Sequence, residues 1–294
     1  MNIRLQFLLA SVALVCFGAP VSASAADSFD ACSGFINSLP ATITTPGVYC
    51  LTQQLSTSIG SGNAVTVNAD DVVIDCNDHR IDGSAAGTAT AAVGVFAGNR
   101  ARITLRHCAI SGFNTGAKLT GSGHIVDGNE FIADTQIGLF IEGLVRNADS
   151  LVTENRVIDI GGSTTGAAAY GIYAHQGVDL FDNSVSYVHA NDVGSGSANA
   201  YGIFTTSTNH GATVRGNRVR AVVKGSSGLA YGIYNDTSRH VILRDNDVSN
   251  RTNGKFDIGI YCSTSSSAGR NNVIHGSVQA ISTCGNAGDN YNGL

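Results

Sequence analysis

Four polar side chains occupy one equivalent position in four copies of a short repeat: Glu142, His175, Thr206 and Asp236. A carboxylate beside an imidazole can donate and accept protons, which is the chemistry of a general acid–base pair. If the copies stack as neighbouring strands, Glu142 lies about 5 Å from His175 and about 14 Å from Asp236. Inverting glycoside hydrolysis requires carboxyl groups about 6.5–9.5 Å apart, so a loop residue such as Asp192 would have to complete that site. We predict Glu142, His175 and Asp236 as candidate catalytic residues; the alternative is that they are solvated residues on an exterior strand.

Aromatic side chains two residues earlier in the same copies form a second candidate group. They are Phe140, Tyr173, Phe204, Tyr234 and Tyr261, called here the aromatic strip. Side chains alternate between the two faces of a strand, so an inward aliphatic neighbour places each ring outside. Rings on successive coils offer apolar surface to sugars, and tyrosine hydroxyls can donate hydrogen bonds. We predict that the strip binds substrate; the alternative is that the rings pack on one another beneath loops and only stabilise the fold.

These side chains belong to an internal repeat. The sequence of Ala169–Tyr173 returns almost unchanged at Ala200–Phe204 and Ala230–Tyr234. Its glycine also recurs in weaker copies, giving positions 94, 116, 138, 171, 202, 232 and 259. Short units of this period, with 36 glycines and only 3 prolines in the chain, predict a β-solenoid rather than a sandwich.

A series of asparagines runs in phase with these glycines. Its members are Asn129, Asn155, Asn183, Asn217, Asn246 and Asn271. Each follows an apolar strand and opens another, which predicts a sharp turn whose left-handed backbone asparagine tolerates. Amides stacked in successive coils can hydrogen-bond to one another, so we predict an internal asparagine ladder.

The first 25 residues have the features of a secretory signal peptide. A short basic start precedes an apolar run, Leu5–Gly18, and the small residues Ala23–Ala25 provide a cleavage site. No later apolar run approaches the roughly 20 residues of a membrane helix. The sequence therefore predicts a secreted or periplasmic protein without a membrane span.

Six cysteines follow the predicted signal peptide. An even number in an oxidising compartment predicts three disulfide bonds. Of the fifteen possible pairings, stacked coils favour Cys262–Cys284 and Cys76–Cys108, and Cys32–Cys50 would close a loop in the N-terminal cap. Because no two of these cysteines lie within four residues, we predict no metal site, and we expect no cofactor.

Several segments resemble a known superfamily. Val72–Gly83, Ile103–Gly112 and the Gly-Ile-Tyr and Asn-x-Val units resemble right-handed parallel β-helix repeats, and the mature chain is similar to the pectate-lyase-like superfamily. The resemblance implies an all-β, single-stranded right-handed parallel β-helix of roughly eight coils with three short strands per coil. The asparagine corner would separate the second and third strands. The predicted divisions are a signal peptide at 1–25, an N-terminal cap at 26–62 and the β-helix domain at 63–294.

The resemblance also implies a function, because enzymes of this superfamily usually bind polysaccharide along the first-strand face. The fold carries lyases, hydrolases, epimerases, tailspikes and proteins with no known activity. The chain lacks the Asn-Thr-Asp, Asp-Asp and Gly-His-Gly elements of polygalacturonases and the Arg-x-Pro-x-x-Arg motif of pectate lyases. We therefore predict polysaccharide binding or processing, by a lyase or glycoside hydrolase if the protein is an enzyme, without a named activity.

Two further functions stay open. A non-catalytic structural or adhesive solenoid would use the aromatic and asparagine series for packing alone. A uronate-directed lyase or epimerase would act through Arg215, Arg218 and Arg244, and only this alternative would call for calcium. Residues 211–251 hold seven Lys and Arg against three Asp and Glu, so the polysaccharide could be acidic. The net charge of −5 argues against a nucleic-acid partner. We also expect a monomer.

Overall fold

The computed structural model describes residues 31–143, 150–164, 168–191, 198–207, 210–237, 240–250, 256–286 and 288–293. The chain winds through three parallel sheets, and each coil contributes one strand to each sheet before the next coil stacks on it. The expected all-β solenoid with three strands per coil is confirmed. The predicted signal peptide lies outside the described residues. Within the described part, no helix has the length and apolar character needed to cross a membrane.

The strands of the three sheets alternate along the chain. The first sheet, which carries the Gly-Ile-Tyr motif, consists of Ala41–Ile43, Asn63–Val67, Val93–Ala101, Thr115–Ser122, Ile137–Gly143, Ala169–His175, Ala200–Ser207, Ala230–Thr237, Phe256–Cys262 and Ser277–Ser282. The second consists of Gly34–Ile36, Gly47–Leu51, Val72–Asp75, Thr104–Arg106, Ile125–Asp127, Ser150–Thr153, Val178–Phe181, Ala212–Arg215, Val241–Arg244, Ala268–Arg270 and Gly285–Asn286. The third consists of Leu55–Ser56, Arg80–Asp82, Ala109–Ser111, Glu130–Ile132, Arg156–Gly161, Ser184–His189, Arg218–Val223, Asp247–Ser249, Val273–His275 and Tyr291–Gly293. A short 3-10 helix spans Ser84–Ala86.

The solenoid begins earlier than the sequence predicted. Four strands of residues 26–62, the expected cap segment, already belong to the three sheets, and Ala41–Ile43 pairs with residues 65–67 across the expected boundary. In the described residues, the first and third sheets therefore hold ten strands and the second eleven, rather than the roughly eight coils expected. The first coils were not predicted because they lack the Gly-Ile-Tyr and Asn-x-Val units.

Aliphatic columns fill the interior of the coils. Ile172, Ile203, Ile233 and Ile260 pair in sequence along the first sheet and are at most 1% exposed. Removing each such side chain from water contributes about 1.5–3 kcal/mol, so the inward orientation of these residues is strongly favoured. The predicted inward column is confirmed, and it fixes which side chains of the same strands face outward.

A buried asparagine ladder forms the corner between the second and third sheets. Its rungs are Asn129, Asn155, Asn183, Asn217, Asn246, Asn272 and Asn290. In each step Nδ2 donates to Oδ1 of the next rung at 2.9–3.1 Å. The predicted ladder and its place between the second and third strands are confirmed.

Two details of the predicted ladder were wrong. Asn272, not Asn271, is the rung, because Val248 pairs with Ile274 and the Asn-x-Val spacing shifts by one residue. The rungs also do not occupy the left-handed region. That conformation belongs to the residue before each rung, as at Glu154 with φ 55° and Asn271 with φ 51°.

Three disulfide bonds link neighbouring parts of the solenoid. The pairs are Cys32–Cys50, Cys76–Cys108 and Cys262–Cys284, with Cα–Cα distances of 5.9, 4.7 and 4.9 Å. All three favoured pairings are confirmed. Cys76 and Cys262 directly follow Asp75 and Tyr261, whose partners on the next coil, Arg106 and Ser282, lie two residues before Cys108 and Cys284, so these two bonds join adjacent coils.

An acidic side chain lies fully buried at a corner leading into the first sheet. Asp134 is 0% exposed; its Oδ1 accepts a hydrogen bond from the Phe113 backbone N–H at 3.0 Å, and its Oδ2 has no hydrogen-bond partner among the described residues. Burial raises the pKa of Asp134 well above its ordinary value, although the Phe113 N–H acts in the opposite direction. The folded protein therefore binds this proton more tightly than the unfolded chain does.

Asp134→Asn is expected to stabilise the protein at neutral pH. Because the folded pKa is raised, the acid's contribution to stability falls as pH rises above about 4 towards the folded pKa. The amide keeps the acceptor for Phe113 and carries no charge, so we expect a gain of about 1–3 kcal/mol at pH 7 that vanishes near pH 3 to 4. Urea unfolding at both pH values measures it. An equal loss of stability at both would contradict the prediction.

Candidate functional site

The four polar side chains of the repeat lie side by side on the outer face of the first sheet. Glu142 pairs with His175, His175 with Thr206 and Thr206 with Asp236. Glu142 Oε1 and His175 Nδ1 are 2.7 Å apart, and their side chains keep 19% and 29% of their surface exposed. This contact forms because the parallel register places the two residues on adjacent strands.

The imidazole of His175 has a defined hydrogen-bond arrangement. Its Nε2 lies 3.2 Å from Nε2 of Gln176, and an amide nitrogen can only donate. Nε2 of His175 is therefore the acceptor, and Nδ1 carries the proton donated to Glu142. The pair combines an oriented imidazole with a carboxylate that remains accessible to solvent, which is suitable for proton transfer or for hydrogen bonding to hydroxyl groups.

Asp236 does not join this pair. It is exposed and lies three strands from Glu142 in the register, which corresponds to about 14 Å. That separation exceeds the about 6.5–9.5 Å between the carboxyl groups of inverting glycosidases. Asp192 lies outside the described residues. The described chain thus brings together Glu142 and His175 and leaves Asp236 apart.

The predicted aromatic strip is continuous and half-buried. Phe140, Tyr173, Phe204, Tyr234 and Tyr261 pair in that order across five strands. Lys118 occupies the preceding position of the column, and its Nζ lies 5.3 Å from the Phe140 ring centroid. The lysine thereby ends the strip with a cation–π contact.

The rings of the strip stack regularly only in its later coils. Phe204 and Tyr234 are 5.1 Å apart with an interplanar angle of 10°, and Tyr234 and Tyr261 are 4.6 Å apart at 22°. Faces covered by a neighbouring ring cannot stack on a sugar. Tyr173 instead meets Phe140 and Phe204 at 63° and 71°. The parallel stack is therefore interrupted at Tyr173, two residues before His175 on the same strand.

Sequence reasoning missed a second aromatic row. Tyr170, Tyr201 and Tyr231 stack on one another at 4.9 and 5.2 Å, and Tyr170 also stacks on Tyr173 at 5.1 Å. Strict alternation would have turned Tyr170 towards the other face from Tyr173. The first tyrosine of each Ala-Tyr-Gly-Ile copy was the available signal.

Gly171 lets both rows share one face. A Cβ at this position would lie 2.5 Å from the Gly202 carbonyl oxygen and 2.5 Å from Val185 Cγ1. The Cβ direction of Gly171 points at Val185 and Val188 in the core, and the next residue, Ile172, is also fully buried. The glycine therefore interrupts the alternation and allows residues three apart to lie together outside.

Loops cover the second row and leave the strip more accessible. Tyr201 and Tyr231 are 8% and 7% exposed. The Tyr201 hydroxyl accepts a hydrogen bond from Asn199 Nδ2 at 2.9 Å, and Asn199 Oδ1 accepts one from the Leu229 N–H at 2.8 Å. These contacts hold the segments before two first-sheet strands against the second row, so that row is a packing layer.

The tyrosine hydroxyls stay protonated over a wide pH range. Burial, followed by the neighbouring tyrosines, raises the pKa of Tyr170 to about 12. Burial also raises the pKa of Tyr173, and the charges of Glu142 and Asp236 raise it further. At neutral pH each hydroxyl can therefore donate a hydrogen bond, and Tyr173 lies within the field of both carboxylates.

The arginines of the lyase alternative lie on other faces. Arg215 and Arg244 are paired on the second sheet, whereas Arg218 belongs to the third sheet and lies 3.8 Å from Asp247. Arg218 is thus separated from the Arg215–Arg244 pair, and none of the three belongs to the first sheet, which carries the aromatic strip. Among the described residues, no three His, Cys, Asp or Glu side chains are arranged to hold a metal ion.

Comparison with known proteins identifies the repeat type. A family profile described as right handed beta helix region matches residues 47–219. No curated protein matches the sequence significantly. Among solved structures, the Dettilon tailspike protein is 13% identical with a TM-score of 0.51, and the match covers 87% of this chain and 58% of the tailspike. Tailspike protein 2 from an Escherichia coli O157:H7 bacteriophage is 14% identical with a TM-score of 0.47, covering 86% of this chain and 37% of that protein. The chain thus spans little more than half of these proteins at most.

Proposed function

Because the chain belongs to the right-handed β-helix family, we propose that it binds polysaccharide along the aromatic strip, with Tyr173, Glu142 and His175 as the recognition centre. The observation that carries the proposal is the contact of 2.7 Å between Glu142 and His175 where the ring stack is interrupted. A partly exposed ring beside an oriented polar pair offers apolar surface and hydrogen-bonding groups to one sugar unit.

The chemistry of the centre suits a chain of sugar hydroxyls. The Glu142 carboxylate accepts hydrogen bonds, and the Tyr173 and Tyr234 hydroxyls donate them at neutral pH. The strip runs across five strands, so it could contact several consecutive sugar units. Three disulfide bonds are typical of an oxidising compartment, which supports export to the cell surface or periplasm where such polymers occur.

Binding is better supported than hydrolysis. Glu142 and His175 could act as a general acid–base pair, but Asp236 is too distant to serve as the second carboxylate of an inverting site. We therefore propose binding as the function, and the catalytic roles of Glu142, His175 and Asp236 stay predictions. Product analysis on any bound polysaccharide, with Glu142→Gln as the comparison, tests those roles directly.

A structural or adhesive solenoid is the second candidate, and ring packing favours it. Parallel rings at 4.6–5.2 Å cover one another's faces, and Tyr201 and Tyr231 lie beneath loops. On this reading, aromatic contacts of about 0.5–1.5 kcal/mol each stabilise the coils without a ligand. Removal of rings would then lower stability and leave no binding to lose.

Tyr173→Ala/Tyr234→Ala is expected to abolish binding on a glycan array and to weaken the affinity for the wild-type ligand by at least about tenfold. Two interaction surfaces and two hydroxyl donors disappear together. The matched control is Tyr173→Phe/Tyr234→Phe, which keeps the rings and removes only the hydroxyls. Retained folding in thermal melts is required for both variants.

The wild-type protein and the two variants together distinguish the alternatives. Loss in the Ala variant with partial loss in the Phe variant supports a site formed by rings and hydroxyls. Binding that is equal in all three would remove the strip as the site. If the wild-type protein binds no glycan and the Ala variant only loses stability, the rings have a structural role, as the second candidate function requires.

A further inference from the structure

The outer surface of the second sheet carries a column of arginines in its last coils. Arg215 pairs with Arg244, and Arg244 pairs with Arg270. Adjacent strands hold these side chains about 4.8 Å apart at their bases, and like charges directly opposite each other destabilise a sheet. In the first coils the same column instead alternates in charge, with Arg106 paired between Asp75 and Asp127.

The later arginines also lack the close ion pair with a carboxylate that Arg106 forms in the earlier coils. Arg106 Nε lies 2.7 Å from Asp75 Oδ2. The Arg215 guanidinium packs over the Phe181 ring at 4.8 Å, and the nearest oxygen of Asp182 is 4.0 Å away. Arg244 and Arg270 are both exposed, and in the described part of the chain neither forms an ion pair. Two guanidinium groups therefore stand side by side without a bound carboxylate.

These two arginines line a cavity of about 600 Å³ on the same surface. Ile242 and Ala268 also line it, and Ile242 is 50% exposed despite being a large aliphatic residue. The cavity thus combines a cationic side with an apolar side. A smaller hollow of about 280 Å³ continues it, sharing Thr213 and Ile242.

An acidic side chain limits what the cavity can accept. Asp245 lines the same space, and its Oδ1 accepts a hydrogen bond from Asn271 Nδ2 at 3.2 Å. A small inorganic anion would meet this carboxylate as well as the arginines. A sugar acid can place its anionic group on the arginines and a hydroxyl donor on Asp245, so the mixed lining favours a carbohydrate over a free ion.

We propose that this cavity binds an anionic sugar unit of a polysaccharide, with its carboxylate or sulfate between Arg244 and Arg270 and its ring against Ile242 and Ala268. Planar guanidinium groups suit both anions because they can form paired hydrogen bonds. The site lies on the second sheet, away from the aromatic strip on the first. It therefore stands whether or not the strip binds a ligand.

Arg244→Gln/Arg270→Gln in the full chain tests the site. The probes are polygalacturonate for carboxylates, dextran sulfate for sulfates and unmodified dextran as the neutral polymer. We expect the wild-type protein to bind at least one anionic probe and not dextran, and the double variant to bind that probe at least about tenfold more weakly. The affected probe identifies the anionic group.

The matched control is Arg102→Gln/Arg156→Gln, which removes the same charge from two exposed arginines that do not line the cavity. It should keep wild-type affinity. If both arginine variants bound the anionic probe equally weakly, the loss of affinity would be due to net charge alone, and the proposed site would be wrong. Three other results would also overturn the site. The wild-type protein could bind dextran as tightly as the anionic probes, it could bind neither anionic probe, or a folded Arg244→Gln/Arg270→Gln protein could bind with unchanged affinity.

Discussion

Asn217→Ala is expected to lower the free energy of unfolding by about 3–5 kcal/mol. Asn217 is 0% exposed and its Oδ1 accepts hydrogen bonds from both N and Nδ2 of Asn183 at 3.0 Å. Its Nδ2 donates to the carbonyl oxygens of Leu180 and Arg215 and to Oδ1 of Asn246. Alanine would leave several of these groups buried without a partner. Each unsatisfied group costs about 1–3 kcal/mol, and only partial rearrangement can offset the loss.

Chemical denaturation of Asn217→Ala beside Asn271→Gly measures this effect. Asn271 belongs to the same corner but lies outside the ladder, and its φ of 51° suits glycine. The control should therefore change stability by no more than about 0.5 kcal/mol. If the two substitutions had similar effects, the ladder would not be a main source of stability in these coils.

Gly171→Ala is expected to cost about 3 kcal/mol and to disturb the aromatic surface. The new methyl group would lie 2.5 Å from the Gly202 carbonyl oxygen, which belongs to the backbone of the next coil and cannot rotate away. Relief requires the coil to shift. Because Tyr170 and Tyr173 flank this glycine and stack at 5.1 Å, a shift would separate the two aromatic rows at the proposed recognition centre.

Thermal melts and near-ultraviolet circular dichroism report both consequences. Gly60→Ala is the matched control, because a Cβ there meets no atom within 4 Å. It should melt like the wild-type protein and keep its tyrosine signal. A Gly171→Ala protein with unchanged stability and unchanged tyrosine signal would show that the coil accommodates the methyl group.

The order in which the site residues lie across neighbouring strands could be predicted from the sequence, because one motif recurs at the same position of each strand. The spacing of Ala-Tyr-Gly-Ile copies gives the strand alignment, and a parallel sheet turns equal positions into neighbours. This is why Glu142 and His175, two residues 33 apart in sequence, were expected side by side and lie 2.7 Å apart.

The remaining features depended on geometry that the motif does not encode. Tyr170 shares a face with Tyr173 because Gly171 interrupts the alternation of side chains. A sequence pattern with a period of two residues does not show where such an interruption occurs. Asn271 and Asn272 are adjacent and chemically identical, so only the pairing of Val248 with Ile274 decides which one is the rung. Arg270 follows Arg215 and Arg244 on the second sheet because the rung is Asn272; counting back from Asn271 would place Gly269 at that position instead.

The positions of the disulfide bonds affect how the solenoid can come apart. Two link the first coils and the third links the last, while no disulfide joins the described coils between Cys108 and Cys262. In a linear array each terminal unit has only one neighbour, so unfolding normally starts by fraying at the ends. Here the covalent links secure the first and the last described coils. Oxidation thus leaves the middle coils, which carry the proposed recognition centre, as the part of the stack that is held by non-covalent contacts alone, so local opening is least restrained there.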